Sequence, residues 1–211
     1  INGPCRDFAH NAPIPHPGRS FLRAFLNLLL VLLSALPVAA AERAIDKEVV
    51  IKATLEQAWQ SWTTRDGIRS FFAPDAVVEA RPGGAFHIHI DPGAAPGLKG
   101  ADDMRLLALQ PMKMLSFDWN APPSLPQVRA QRTLVVLRFA EVDAQHTRIS
   151  LHHVGWGEGG QWDQAYAYFD RAWGHVLANL VKRWETGQPI DWSDWLARLE
   201  ALRKPAEPAS R

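Results

Sequence analysis

Apolar and polar residues alternate along much of the chain after residue 44, and this alternation predicts seven strands. The first strand is expected at 45–53, directly before a helical pattern. Six more follow in series, at 76–80, 84–90, 102–110, 113–119, 132–142 and 147–154. Turn-like breaks such as RPGG, NAPPSLPQ and DAQH separate them. Consecutive strands with short links imply an antiparallel meander.

Two short helices are predicted directly after the first strand. The first opens with the capping-box pair Thr54 and Gln57. Its apolar stripe at helical spacing consists of Leu55, Ala58, Trp59 and Trp62. The second lies in the segment TRDGIRSFF and ends before Pro74.

The period changes after Gly160, where apolar residues recur every three or four positions. This spacing predicts one continuous amphipathic helix from Gly160 to Thr186, and Gly187 and Pro189 end it. Its apolar stripe consists of Trp162, Tyr166, Phe169, Trp173, Val176, Leu177, Leu180 and Trp184. The later segment DWSDWLARLEALRK predicts a short extra helix anchored by Trp192 and Trp195.

These elements predict an α+β fold: a seven-stranded antiparallel sheet wrapped around a long C-terminal helix, with two short helices after the first strand. A single helix cannot completely fill the concave face of a twisted sheet. A cavity is therefore expected between helix and sheet, open at one end. Such a cavity is suited to binding a small molecule.

The N-terminal segment has the pattern of an export signal. Residues 1–20 are rich in proline and patternless, and we expect them to be unstructured or upstream read-through. Residues 21–41 are interpreted as a signal peptide, because an apolar run follows basic residues and Ala39 and Ala41 give a small-x-small cleavage pattern. The expected location is the periplasm or the cell exterior.

The rest of the chain is expected to hold one domain at 44–187 and a C-terminal extension with a short helix at 188–211. The apolar run of the signal is shorter than the roughly 18 residues of a membrane span. No membrane span is therefore expected in the mature form. An uncleaved anchor is the alternative.

Composition excludes several classes of protein. The net charge of the 211 residues is +1, so no basic excess indicates binding to nucleic acid. The only cysteine is Cys5, which precludes an internal disulfide or a cysteine-based metal cluster.

The segment FHIHID raises the possibility of a metal site. His87 and His89 share one strand face, and Asp91 follows on the same face. However, Phe86 and Ile88 are expected to take the inner face, which directs both histidines to solvent. We therefore predict no metal and no other cofactor.

Strand parity and the helical stripe predict which residues line the cavity. Phe117 and Trp119 share the expected inner face of one strand, and His153 takes the inner face of another. From the long helix, Tyr166, Phe169 and Trp173 project toward the same space. Trp156 and Trp162 lie at the glycine-rich turn GWGEGG, where the entrance is expected. The alternative is that all these rings are plain core.

His153 is the one ionisable residue predicted to face inward. It would act as a hydrogen-bond donor or as a general acid or base in a functional site. The favoured interpretation is a hydrogen-bonded core histidine. The sequence contains no G-x-S-x-G motif, and no nucleophile with a base beside it is evident.

Five strings resemble the START-like helix-grip superfamily, also called SRPBCC or birch-pollen-allergen-like. They are VVIKATLEQAWQSWT, FFAPDAVVEARPGGAFHI, QPMKMLSFDW, TRISLHHVGW and RAWGHVLANLVKRWETG. The nearest branch resembles the activator of the heat-shock protein 90 ATPase. The resemblance implies a helix-grip fold with a pocket, and it implies no particular reaction.

Three functions are compatible with these observations. The first is binding of a hydrophobic or aromatic small molecule. The second is an enzyme of cyclase or lyase type that acts on a polyketide-like compound in the same pocket. The third is a protein-interaction or stress-related role, as in the heat-shock protein 90 branch. Export argues against a partnership with a cytosolic ATP-driven chaperone.

Overall fold

The computed structural model describes residues 42–204, so the predicted signal peptide and the segment before it lie outside the described residues. The described elements in chain order are β1 (Ile45–Ile51), α1 (Leu55–Thr63), α2 (Arg65–Arg69), β2 (Asp75–Val78), β3 (Phe86–His89), β4 (Gly100–Ala101), β5 (Leu106–Gln110), β6 (Met114–Trp119), α3 (Pro126–Arg129), β7 (Thr133–Asp143), β8 (His146–Val154), α4 (Gly160–Thr186) and α5 (Ser193–Arg203).

The strands form two antiparallel sheets rather than the predicted single sheet of seven. The larger sheet has the order β1-β8-β7-β6-β5, and the smaller has the order β2-β3-β4. The additional strand is β4, a two-residue segment that pairs with Ile88 and His89 of β3. The prediction of an α+β fold with antiparallel strands and a long C-terminal helix is confirmed.

The split between the sheets arises in the segment before β5. Asp103 has φ of 61°, a left-handed conformation that interrupts an extended strand. The predicted strand at 102–110 therefore begins only at Leu106. The backbone bonds from Phe86 N to Met104 O (2.8 Å) and from Leu106 N to Gly84 O (3.0 Å) connect the two sheets across this break.

The first helix and the long helix begin and end close to where the sequence predicts, whereas α2 ends earlier, at Arg69, and α3 was not predicted. Thr54 and Gln57 form the predicted capping box of α1, with bonds of 3.3 and 3.0 Å between each side chain and the other residue's backbone N–H. The long helix α4 spans Gly160–Thr186 without interruption. Gly187 ends it with φ of 71°, which a residue with a side chain rarely adopts.

The core lies between the sheets and the inner face of α4. The helix contributes Phe169, Trp173, Leu177 and Leu180, all buried. The strand faces alternate as predicted: in β3, Phe86 and Ile88 are fully buried, whereas His87 and His89 are half-buried instead of solvent-facing. Every second residue of these strands and every third or fourth residue of α4 are therefore buried in the same apolar core.

No helix within residues 42–204 has both the length and the apolar character to cross a bilayer.

Candidate functional site

Five of the eight predicted site residues lie together in one buried aromatic cluster. They are Phe117, Trp119, His153, Phe169 and Trp173, each no more than 6% exposed. The ring centroids are 5.5 Å apart for Phe117 and Trp119, and 5.4 Å apart for Trp119 and Trp173. Rings at these distances are in contact. The cluster therefore fills the space between sheet and helix where the sequence predicts a cavity.

His153 is held from both sides inside this cluster. The indole N–H of Trp173 donates to His153 Nδ1 at 2.9 Å. Because Nδ1 accepts, the ring proton sits on Nε2, which donates to Thr133 Oγ1 at 2.7 Å. The Thr133 hydroxyl then donates to the carbonyl of Trp119 at 3.2 Å. The chain of bonds ties β6, β7, β8 and α4 together.

Burial also keeps the His153 ring neutral. Burial, with a smaller coulombic contribution from the adjacent His152, lowers the pKa of His153 from 6.5 to about 3. With both ring nitrogens bonded and no positive charge near neutral pH, His153 acts as a structural hydrogen-bonding residue. This agrees with the favoured interpretation of the sequence.

The other three predicted residues lie at the glycine-rich turn. Trp156 stacks on His153 with centroids 4.2 Å apart and donates its indole N–H to the His153 carbonyl. Tyr166 donates its hydroxyl to the carbonyl of Ala44 at 2.8 Å. Trp162 lies against Gly157, where an added Cβ would come within 2.4 Å of the indole nitrogen. All three are half-buried packing residues here, and ligand contact by them stays a prediction.

The histidines of FHIHID do not converge with Asp91. His89 Nδ1 lies 3.4 Å from Asp75 Oδ2, whereas Asp91 accepts from Arg203 at 2.5 Å. In the part of the chain that the structure describes, no three side chains of metal-ligating type come together. The absence of a metal requirement stays a prediction.

A pocket of about 210 Å³ opens beside the aromatic cluster, and we call it the loop pocket. Two loops form its rim, the 91–100 loop before β4 and the segment after β6 that contains Pro122 and Pro123. Its floor includes two predicted site residues, Trp119 and Phe169. The other six do not line it.

Two buried polar atoms next to the loop pocket lack hydrogen bonds. The indole N–H of Trp119 and the side-chain oxygen of Asn120 have no partner among the residues that the structure describes. Both residues line the pocket, and both are nearly inaccessible, at 5% and 7% exposure. Buried polar groups are normally satisfied. A donor and an acceptor therefore remain available at this wall.

A second pocket of about 390 Å³ lies between α4 and α5, and we call it the helix pocket. Ile90 and Tyr168 line both pockets, so the two are direct neighbours, and together they are named the α4 groove below. Trp192 and Trp195 form its outer wall. Their indole N–H groups donate to the carbonyls of Arg69 and Ile90, at 2.7 and 2.8 Å.

Arg129 of α3 fixes the rim of the loop pocket. Its guanidinium donates to the carbonyls of Ala121, Gly97 and Gly100, at 2.5, 2.5 and 2.9 Å. It also pairs with Asp102 at 3.3 Å. Five N–H donors in a fixed fork suit this many acceptors. A single side chain thus holds both rim loops.

Sequence reasoning missed most residues of the α4 groove. Tyr168 lies off the apolar stripe of α4 and is 43% exposed, so its position indicated a solvated surface. Arg129 follows the break NAPPSLPQ by two residues, in a stretch to which the sequence assigned no element. Besides Trp119 and Phe169, the groove residues that the sequence pointed to were Trp192 and Trp195, the two tryptophans of the C-terminal extension.

Comparison with known proteins gives a match over most of the described chain. The family model described as "Activator of Hsp90 ATPase homolog 1-like protein" matches residues 52–185. This range lies inside the domain predicted at 44–187. A search of the curated proteins found no match.

Solved structures with the same fold include three that we compare here. Protein MLL2253 from Mesorhizobium loti is 21% identical, with a TM-score of 0.54 over 66% of this chain and 95% of that one. The Aha1 dimer from Colwellia psychrerythraea is 22% identical, with a TM-score of 0.52 over 69% and 98%. PFC0360w, an HSP90 activator from Plasmodium falciparum, is 14% identical, with a TM-score of 0.51 over 69% and 97%. At these identities the likeness shows the fold alone.

Proposed function

This chain belongs to the family of Activator of Hsp90 ATPase homolog 1-like proteins, and on that premise we propose that it binds a hydrophobic or aromatic small molecule in the α4 groove. The proposal includes export to the periplasm or the cell exterior, as the sequence of residues 21–41 predicts. The proposed ligand site differs from the predicted one: it lies on the outer side of the aromatic cluster and not in a cavity inside it. Trp119 and Phe169 are the predicted site residues that keep a ligand-binding role.

One observation supports the proposal most strongly: the unsatisfied polar atoms at an apolar wall. Leaving a buried donor or acceptor without a partner costs about 1–3 kcal/mol. Trp119 and Asn120, which are consecutive in the chain and both line the loop pocket, carry such atoms. A ligand with one polar atom in an otherwise apolar body would satisfy one of them after a small movement of the wall.

The size and lining of the α4 groove also suit a small apolar ligand. Pockets for small molecules are concave, mostly apolar and usually about 300–1,000 Å³ in volume. The helix pocket, at about 390 Å³, falls in that range, and the smaller loop pocket adjoins it. Their rings come from Phe72, Trp119, Tyr168, Phe169, Trp192 and Trp195, and aromatic rings bind flat apolar molecules well.

The enzymatic alternative has less support. The cyclase or lyase function needs an accessible acid or base, and His153 was the one candidate from the sequence. Its ring is fully buried with both nitrogens bonded. A role with heat-shock protein 90 needs a cytosolic partner, which conflicts with the proposed export. Binding without turnover is therefore the function that we favour.

Replacing Tyr168 by alanine is expected to weaken the binding of a neutral apolar probe, N-phenyl-1-naphthylamine, about fivefold to tenfold. Tyr168 forms the wall shared by both pockets, and its ring meets Phe169 edge-on at 5.0 Å. Because the residue is 43% exposed, the stability loss should stay near 1 kcal/mol. Fluorescence titration measures the first effect and thermal unfolding the second.

Leu107→Ala is the matched control, since Leu107 is 48% exposed on a strand and lines neither pocket. It should leave probe affinity unchanged. Equal affinity of the wild type and Tyr168→Ala would contradict the assignment of the site to the α4 groove. A wild type that binds no probe would contradict the proposed function itself.

A further inference from the structure

We infer that the ligand of the α4 groove is an apolar organic acid whose anionic group lies between Arg171 and His175. This inference rests on the proposed function, because it names the class of molecule that would occupy the same groove. It assigns the anionic group to the helix pocket and the ring body, with the one polar atom that would reach Trp119 or Asn120, to the loop pocket.

The helix pocket has a wall of basic side chains on α4. Arg171 and His175 both line it, four residues apart on the same helix face. Asn179 continues that face by one further turn and adds a neutral amide. A guanidinium fork with an imidazole beside it is suited to binding a carboxylate or sulfonate.

The basic side chains of the groove have no acidic partner in it. Lys99 lines the loop pocket, and neither it nor Arg171 nor His175 takes part in any ion pair found within residues 42–204. The acidic side chain that lines the groove is Asp91. It is already paired with Arg203 of α5 at 2.5 Å. The lining therefore carries unneutralised positive charge next to apolar rings.

The geometry of α4 sets the length of the ligand. Tyr168, at the junction of the two pockets, and His175 are seven residues apart, or about 10 Å along the helix axis. A molecule of two or three fused or linked rings spans that distance. Trp192 and Trp195 then cover the same stretch from the outside. A molecule with an apolar ring body and an acid at one end matches this length. It also matches the change from aromatic residues to the basic residues Arg171 and His175 along the groove.

A pair of fluorescent probes with the same ring skeleton tests the inference. N-phenyl-1-naphthylamine is neutral, and 8-anilinonaphthalene-1-sulfonate adds one sulfonate. In the full chain, the double variant Arg171→Gln/His175→Gln is expected to bind the sulfonate roughly tenfold more weakly, because it loses the charge contact to Arg171 and the hydrogen bond to the His175 ring. Its affinity for the neutral probe should stay within about twofold of the wild type. Arg198→Gln, an exposed cation on α5 outside both pockets, should change neither affinity.

The outcomes separate this inference from the proposed function. Suppose that the neutral probe binds and that the double variant leaves the affinity for the sulfonate unchanged. The inference of an anionic ligand is then wrong, whereas ligand binding in the α4 groove is still supported. An equal loss of affinity for both probes would also contradict the anionic ligand. Arg171 and His175 would then contribute to binding without distinguishing a charged molecule from a neutral one. If the wild type binds neither probe, the proposed function fails and this inference fails with it.

Discussion

Replacing Trp173 by alanine is expected to lower the free energy of unfolding by about 3–5 kcal/mol, the range found for large-to-small changes in protein cores. Trp173 is 1% exposed and contacts the rings of Phe72 and Trp119, at centroid distances of 5.6 and 5.4 Å. Its removal also leaves Nδ1 of His153 buried without a donor. Chemical denaturation measures the loss, which is a large share of a typical stability of about 5–15 kcal/mol.

Trp195→Ala is the control for this prediction. Trp195 is 38% exposed and makes one hydrogen bond, to the carbonyl of Ile90, so its loss should cost only about 1 kcal/mol. A Trp173→Ala protein that keeps wild-type stability and binds larger apolar probes would contradict the account. That result would mean that Trp173 is the wall of an interior cavity, as the sequence first indicated.

Acid should destabilise the protein through His153, by on the order of 4 kcal/mol between pH 6.5 and pH 3. In the unfolded chain His153 takes up a proton near its usual pKa of 6.5, whereas in the folded protein its pKa is about 3. The unfolded state therefore binds the proton first, and stability falls as the pH falls through this window. The slope from this residue is about 1.4 kcal/mol per pH unit.

The acid effect is tested by measuring unfolding free energy from pH 7 to pH 4 in the wild type and in His153→Gln. The variant starts less stable but should show a flatter dependence on pH, because it lacks the proton acceptor. His175→Gln is the control and should keep the wild-type slope, since His175 is exposed and does not contribute to the pKa of His153. Equal slopes for the wild type and His153→Gln would show that His153 is not kept neutral by burial.

The sequence predicted the elements well because periodicity is a local property. The stripe of α4 and the alternation in β3 follow from the spacing of side chains on a helix and on a strand. The capping pair Thr54 and Gln57 acts within one helical turn. The prediction of a single sheet was wrong at Asp103. Its left-handed backbone interrupts the strand, and the pattern of apolar residues gives no indication of it.

The site was harder to predict because it depends on contacts between distant segments. Parity correctly assigned Phe117 and His153 to the inner face, but it carries no information on whether facing rings leave a space. The space between sheet and helix is filled by rings in contact. The groove forms instead where Arg129 gathers two rim loops and where α5 returns to α4. Neither contact has a pattern in the local sequence.

The most direct test of the α4 groove is a titration of the ¹⁵N-labelled protein with N-phenyl-1-naphthylamine, followed on the indole N–H signals of its nine tryptophans. The account predicts that Trp119, Trp192 and Trp195 shift most, because their residues line the groove. Trp62 and Trp173, which are 0% and 1% exposed in the core, should shift least. Largest shifts at Trp62 and Trp173, or no shifts at any tryptophan at saturating probe, would contradict ligand binding in the α4 groove.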